Sequence, residues 1–218
     1  MTTLFRYFLA SQTEMSDLVS EPQTCTFCGQ RVQCFRVESR SFRETCAEPA
    51  RFGCFECLRA GAFGFIHFTE AGFVDAGGLH LEQEDEPPPR RVFLGSTDGT
   101  LSESPELYLP PKKRPFEIRP EAIQALFHTP NFVTLQGWIP WLVHCDDFMQ
   151  YLGTWEPADF NRRAPNGQGR NLFLEMTGWE DTDWVWPPEA TFPNGWDLGY
   201  YAFQCCHCRK FRGTYDFT

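Results

Sequence analysis

Four of the ten cysteines fall into two pairs of one pattern, Cys25-Thr-Phe-Cys28 and Cys54-Phe-Glu-Cys57. Two thiols separated by two residues reach a single metal ion. A second such pair completes the tetrahedral four-sulfur shell that zinc takes in closed structural sites. Between the pairs lie 25 residues, Gly29 to Gly53, enough for a hairpin to fold back and bring them together. Gly29 stands where a knuckle needs φ > 0. After the second pair, Leu58-Arg59-Ala60-Gly61 reads as a short helical turn ended by glycine. Knuckle, hairpin, knuckle and short helix is the order of a treble-clef or ribbon module, with Zn2+ as the expected ion. Free or oxidised thiols are the alternative reading.

A third pair, Cys205 and Cys208, encloses Cys206 and His207. One pair is not a site, and the only other dense combination of thiol and imidazole is His144-Cys145. Neighbours on a strand point to opposite faces, so one ion takes both only where the chain turns. A helix begun by Asp146 would supply that turn. The expected second shell is Cys145, Cys205 and Cys208, with His144 or His207 as the fourth ligand; a thiol-rich core is the alternative. Cys34 and Cys46 lack ligand spacing and read as free thiols, and His67 and His80 read as structural histidines.

Several elements must position these groups. Leu4, Phe5, Tyr7, Phe8 and Leu9 form an apolar arm. Arg31 to Phe42 alternates as a half-buried hairpin, and residues 62–68 read as a strand leaving the module. Residues 82–115 are acidic, then proline-rich, then basic, and read as an insertion or linker with a short strand at Val92-Phe93-Leu94. A helix is expected from Pro120 to Thr129, with Ile123, Leu126 and Phe127 as its apolar face. Trp138 to Cys145 is an apolar, buried run. Phe148 to Leu152 reads as a helical turn stopped by Gly153, 161–170 as a basic loop, Asn171 to Met176 as a strand, and Phe211 to Phe217 as a strand-like tail. The fold class is α+β: an N-terminal treble-clef or zinc-ribbon-like module packed on a strand-rich C-terminal body with short helices. The chain divides into 1–80 (arm and zinc module), 81–115 (linker or insertion) and 116–218 (body with the second metal site).

The 218 residues suit one sizeable domain or two small ones. A net charge of −10 argues against a general nucleic-acid binder and an anionic membrane surface, and suits a basic partner. Arg6 interrupts the N-terminal apolar cluster, so no secretory signal is read, and CxxC pairs in such a chain point to a reducing cytoplasm. No run is long enough to span a bilayer. Residues 178–197 combine Trp179, Trp184, Trp186 and Trp196 with Glu180, Asp181, Asp183, Glu189 and Asp197, a combination suited to contacting a cationic protein; core packing of the same tryptophans is the alternative. No catalytic motif is present, which speaks against an enzyme. Two other readings are a zinc-dependent hydrolase around His144, with Asp146 or Asp147 as base, and a nucleic-acid-binding zinc module using Arg31, Arg36, Arg40, Arg43, Arg51 and Arg59. The sequence carries no signal of oligomeric state.

The cysteine pairs recur with other matching pieces: Phe5-Arg6-Tyr7, Cys57-x-x-Ala60-Gly61, His128-Thr129-Pro130, Trp141-x-x-His144-Cys145-x-Asp147-Phe148, and Phe203-x-Cys205-x-x-Cys208 before an aromatic tail. In this combination the chain resembles the CbrC-like family, named for a colicin E2 tolerance protein. The resemblance implies a cytoplasmic metal-binding protein of toxin tolerance or immunity, with a bacterial protein toxin as partner and no known catalysis. The chain departs from the family in carrying Phe55 where a proline often stands, Met149 where relatives can carry cysteine, and the 82–115 insertion.

Overall fold

In the computed structural model of the protein, the described residues are 5–37, 51–80, 116–135, 139–178 and 198–217. The chain enters as an arm with Phe5, Tyr7 and Phe8 buried, then makes a single 3-10 turn, Gln12–Glu14. β1 (Gln23–Thr24) and β2 (Arg31–Val32) form a hairpin whose tip carries the first cysteine pair. β3 (Cys34–Arg36) pairs antiparallel with β4 (Phe52–Cys54), which runs directly into α1 (Phe55–Arg59). Gly61, at φ 77°, ends that helix in the left-handed conformation expected of it.

β5 (His67–Thr69), β6 (Gly72–Asp75) and β7 (Gly78–His80) form an antiparallel meander. α2 (Pro120–Phe127) starts at its proline and buries Ala122, Leu126 and Phe127. β8 (Val143–His144) and β9 (Asp147–Phe148) form a tight hairpin, followed by β10 (Gln150–Thr154). α3 (Pro157–Arg163) and α4 (Gly169–Thr177) precede β11 (Leu198–Gln204) and β12 (Phe211–Phe217), and β10, β11 and β12 pair in that order as an antiparallel sheet. Among the described residues no helix is long and apolar enough to cross a membrane.

The architecture is α+β and strand-rich, with the cysteine module near the N-terminus. One apolar cluster runs from Phe35 and Leu58 of that module to Tyr7, Trp141, Tyr151 and Phe203. Phe132 lies at its centre, stacked on Tyr151 at 4.3 Å and within 5.4 Å of Trp141. A smaller cluster of Trp155, Phe160, Phe173 and Tyr200 joins α3 and α4 to the C-terminal sheet.

Three local expectations are corrected. Phe148 to Leu152 is strand, not a helical turn: Tyr151 pairs with Phe203 and Gly153 with Ala202, with a bulge between them that Gly153 admits at φ 123°. Asn171 to Met176 is helix, not strand. Leu172, Phe173 and Met176, at helical spacing, are its buried face, and Gly178 closes it at φ 72°. The basic stretch 161–170 is loop only between the two helices. Arg162 and Arg163 form the last turn of α3, where the helix dipole favours cations, and Glu156 with Asp159 caps its start. Cys46, Trp138, residues 82–115 and the contact residues Trp179, Asp181, Asp183, Trp184 and Trp186 lie outside the described residues.

Gly53 is required sterically. A Cβ there would fall 2.3 Å from Cε1 of the buried Phe63, whose ring stacks on Phe27 at 5.1 Å. Gly53→Ala should therefore cost roughly 1–3 kcal/mol through overpacking, seen as a lower denaturant midpoint.

His67 is structural: it is buried, its Nε2–H donates to the Thr129 carbonyl at 2.9 Å, and its ring meets Trp141 edge-on. Burial holds its pKa down to about 4, against an ordinary value of 6.5. The folded chain thus binds this proton more weakly than the unfolded chain. The His67 contribution is fully present above pH 6.5 and drains away as pH falls towards about 4. Its size is on the order of 3 kcal/mol. His67→Gln should flatten the pH dependence of unfolding in that interval relative to wild type, and an unchanged slope would contradict the assignment.

Candidate metal centres

Cys25, Cys28, Cys54 and Cys57 offer four sulfur atoms that all lie within 4.8 Å of one another. Cys25 and Cys28 sit on the β1–β2 turn. Gly29 follows at φ 72°, and the Cys25 N–H bonds to the Gln30 carbonyl at 2.8 Å. Cys54 ends β4, and Cys57 lies within α1. The Sγ atoms of Cys25 and Cys57 are 3.7 Å apart, and those of Cys28 and Cys54 are 3.8 Å apart. A tetrahedron with zinc–sulfur bonds of about 2.3 Å has edges of about 3.8 Å, so the set fits Zn2+. Burial pushes the Cys25 thiol up, but bonds from the backbone at Cys28, Cys54 and Phe27 more than offset it and lower it to about 7. Cys34, buried beside Cys25 and Cys54, is not in the set; burial first, and then those neighbouring thiols, push it up to about 11. It is a packed thiol.

The second group is His144, Cys145, Cys205 and Cys208, again with donor atoms within 4.8 Å of one another. Its knuckle repeats the geometry of the first. The Cys205 N–H bonds to the Lys210 carbonyl at 2.9 Å, and Arg209 occupies the position of Gly29 at φ 63°. His144 and Cys145 come together through a two-residue turn, not a helix. Cys145 and Asp146 have φ of 55° and 54° between paired residues His144 and Asp147. This is the left-handed turn type that glycine and asparagine usually supply. It is costly for cysteine, and here it lets two adjacent side chains face one point. His144 Nδ1 lies 3.1 Å from Cys145 Sγ and 3.5 Å from Cys208 Sγ, against the roughly 3.5 Å edge expected for mixed nitrogen and sulfur ligands. Burial and the nearby cations Arg212 and Lys210 lower the His144 pKa, keeping the neutral imidazole a metal needs. His207, the other candidate, faces elsewhere: its Nε2 is 2.9 Å from Asp147 Oδ2.

Residues 3–217 match the uncharacterised protein family UPF0167. The chain belongs to UPF0167. Neither the curated proteins nor the solved structures offer a match. In this UPF0167 chain the two centres differ in exposure. Three ligands of the first are buried or half-buried. In the second Cys205 alone is buried, His144 is half-buried, and Cys145 and Cys208 are exposed.

Residues that sequence spacing does not reveal hold the second centre in place. Arg212 forms a bidentate pair with the buried Glu70 carboxylate at 2.7 and 2.8 Å and also donates to the Val143 carbonyl at 2.8 Å. Glu70 in turn accepts the Val143 N–H at 2.7 Å. The strand carrying His144 is thereby clamped one residue before the ligand. Asp147 accepts from Arg6 and Tyr7, each at 2.6 Å, and from the Phe148 N–H at 2.9 Å. The two aspartates expected as possible bases are thus otherwise engaged, since Asp146 Oδ1 accepts the Glu117 N–H at 3.2 Å.

Proposed function

We propose that this protein is a two-zinc tolerance or immunity protein of the CbrC type. Both ions are structural, and the chain binds and neutralises a basic bacterial protein toxin in the cytoplasm. The observation that carries the metal part is the completeness of two four-donor shells. When bound, zinc would cross-link each shell and add folding free energy, as small structural zinc sites do. Supporting the partner class is a net charge of −10, which would draw in a protein whose own surface attracts phosphate. Trp179, Asp181, Asp183, Trp184 and Trp186 are assigned to the contact surface.

Four protein donors in each shell leave no position for substrate, which disfavours the hydrolase reading. The test is metal analysis combined with affinity capture. Purified protein should carry two zinc ions per chain and retain a basic toxin whose toxicity it relieves. Replacing Trp184, Trp186 and Asp183 by alanine should weaken that complex while both ions remain. Unchanged toxin affinity in a folded triple variant would refute the surface assignment.

A further inference from the structure

Three elements meet at the carboxylate of Asp147, which is 1% exposed. Tyr7 O–H and the Phe148 N–H donate to Oδ1; the Arg6 guanidinium donates to Oδ2, and His207 Nε2 lies against the same oxygen. Arg6 and Tyr7 belong to the N-terminal arm. His207 stands inside the knuckle between Cys205 and Cys208, and Asp147 itself follows the strained Cys145-Asp146 turn. Two of the three elements therefore carry ligands of the second centre, and the third is the arm. The arm continues the contact along β10: Gln150 Nε2 donates to the Arg6 carbonyl at 2.9 Å, Tyr151 N–H to Tyr7 at 2.8 Å, and Leu9 N–H to Tyr151 at 2.8 Å.

A buried carboxylate is tolerated only while its donors stay in place. The left-handed Cys145-Asp146 turn is costly for its residue types, and a metal bound to both sides of it would hold it shut. If the turn relaxed, Asp147, the next residue, would move with it and leave Arg6 and Tyr7 without their acceptor.

We propose that Asp147 is a positioning residue that couples occupancy of the second centre to docking of the N-terminal arm. Metal there and arm residues 5–9 stabilise one another, while the first centre stands apart. This rests on the second tetrad holding a metal. Because coupling between two binding events is reciprocal, it has two readable sides.

The test uses the full-length protein with zinc, and with cobalt to distinguish the four-sulfur from the three-sulfur, one-nitrogen centre by absorption. Asp147→Asn and Arg6→Ala should each speed metal release from the second centre to a chelator about tenfold, with release from the first centre unchanged. Conversely, Cys208→Ser, holding one ion, should show faster amide exchange at Leu9 and Tyr151 but not at Cys25. Arg6 has a half-exposed side chain, so its variant remains informative should Asp147→Asn fail to fold. Wild-type release from both variants, with undiminished protection of Leu9 in Cys208→Ser, would overturn the coupling and leave the two-zinc reading standing. A wild-type protein that takes no ion at the second tetrad would defeat that reading, and the coupling with it.

Discussion

Cys54→Ser is expected to remove the ion of the first centre and, with it, the folded N-terminal module. Cys54 is 4% exposed, ends β4, places its N–H 3.4 Å from Cys25 Sγ and precedes the first turn of α1. A serine hydroxyl does not replace a thiolate as a zinc ligand, and the loss leaves three sulfur atoms crowded without the charge that draws them together. Structural zinc contributes on the order of 10 kcal/mol to small modules. That is comparable to the whole stability of a typical domain, about 5–15 kcal/mol. Because Phe35 and Leu58 of the module feed the central apolar cluster, the damage should reach beyond it. Mass spectrometry under native conditions should show one zinc in place of two, and circular dichroism a loss of structure. Cys34→Ser is the control: Cys34 packs beside Cys25 and Cys54 but is not one of the four ligands, so both ions should remain. The reverse outcome would overturn the ligand assignment.

Phe132→Ala is expected to be the most damaging single change away from the metals. The ring contacts Tyr151, Trp141, Tyr201 and Phe203, with centroids between 4.3 and 5.6 Å. These residues come from β10, β11 and the segment before β8, so the cavity would open between the C-terminal sheet and the segment that leads into β8. The cost should be about 3–5 kcal/mol, lowering the melting temperature by roughly 10 °C for a chain of this size. Zinc content should not change, because Phe132 approaches no ligand. Loss of an ion together with stability would show that core and centres are not separable.

The first centre was legible in the sequence because its information is local: each CxxC pair fixes its own bite, and only a hairpin is needed to join them. Half of the second centre was legible for the same reason at Cys205 and Cys208. His144 and Cys145 could be named only as the remaining thiol and imidazole, since the turn that unites them uses Cys145 and Asp146 where turn chemistry would predict asparagine and glycine. The helix at Pro120 announced itself by its proline and spacing, whereas Phe148 to Leu152 looked helical until paired with β11. Tertiary pairing overrides so short a local pattern. The supports of the second centre had no local trace. Glu70 and Arg212 are 142 positions apart, and Arg6 and Asp147 are 141 apart. Nothing in the spacing of an isolated glutamate or arginine foretells such a partner.

The two halves of the second centre stand on either side of residues 146–204, so an ion bound there would close that stretch of chain into a ring. A protease cut within the ring would sever the backbone without freeing either piece. Beside the β10–β11 pairing, the fragments would stay joined through Cys145 on one side and Cys205 and Cys208 on the other, a link that only a chelator or acid would undo. Closing a ring of this length also removes loop freedom from the unfolded chain, worth about 4 kcal/mol on the scale set by covalent cross-links. In this sense an ion bound at the second centre would act as a reversible clasp around the segment that carries Trp184 and Trp186, and the integrity of that segment would become a matter of metal supply as well as of peptide bonds.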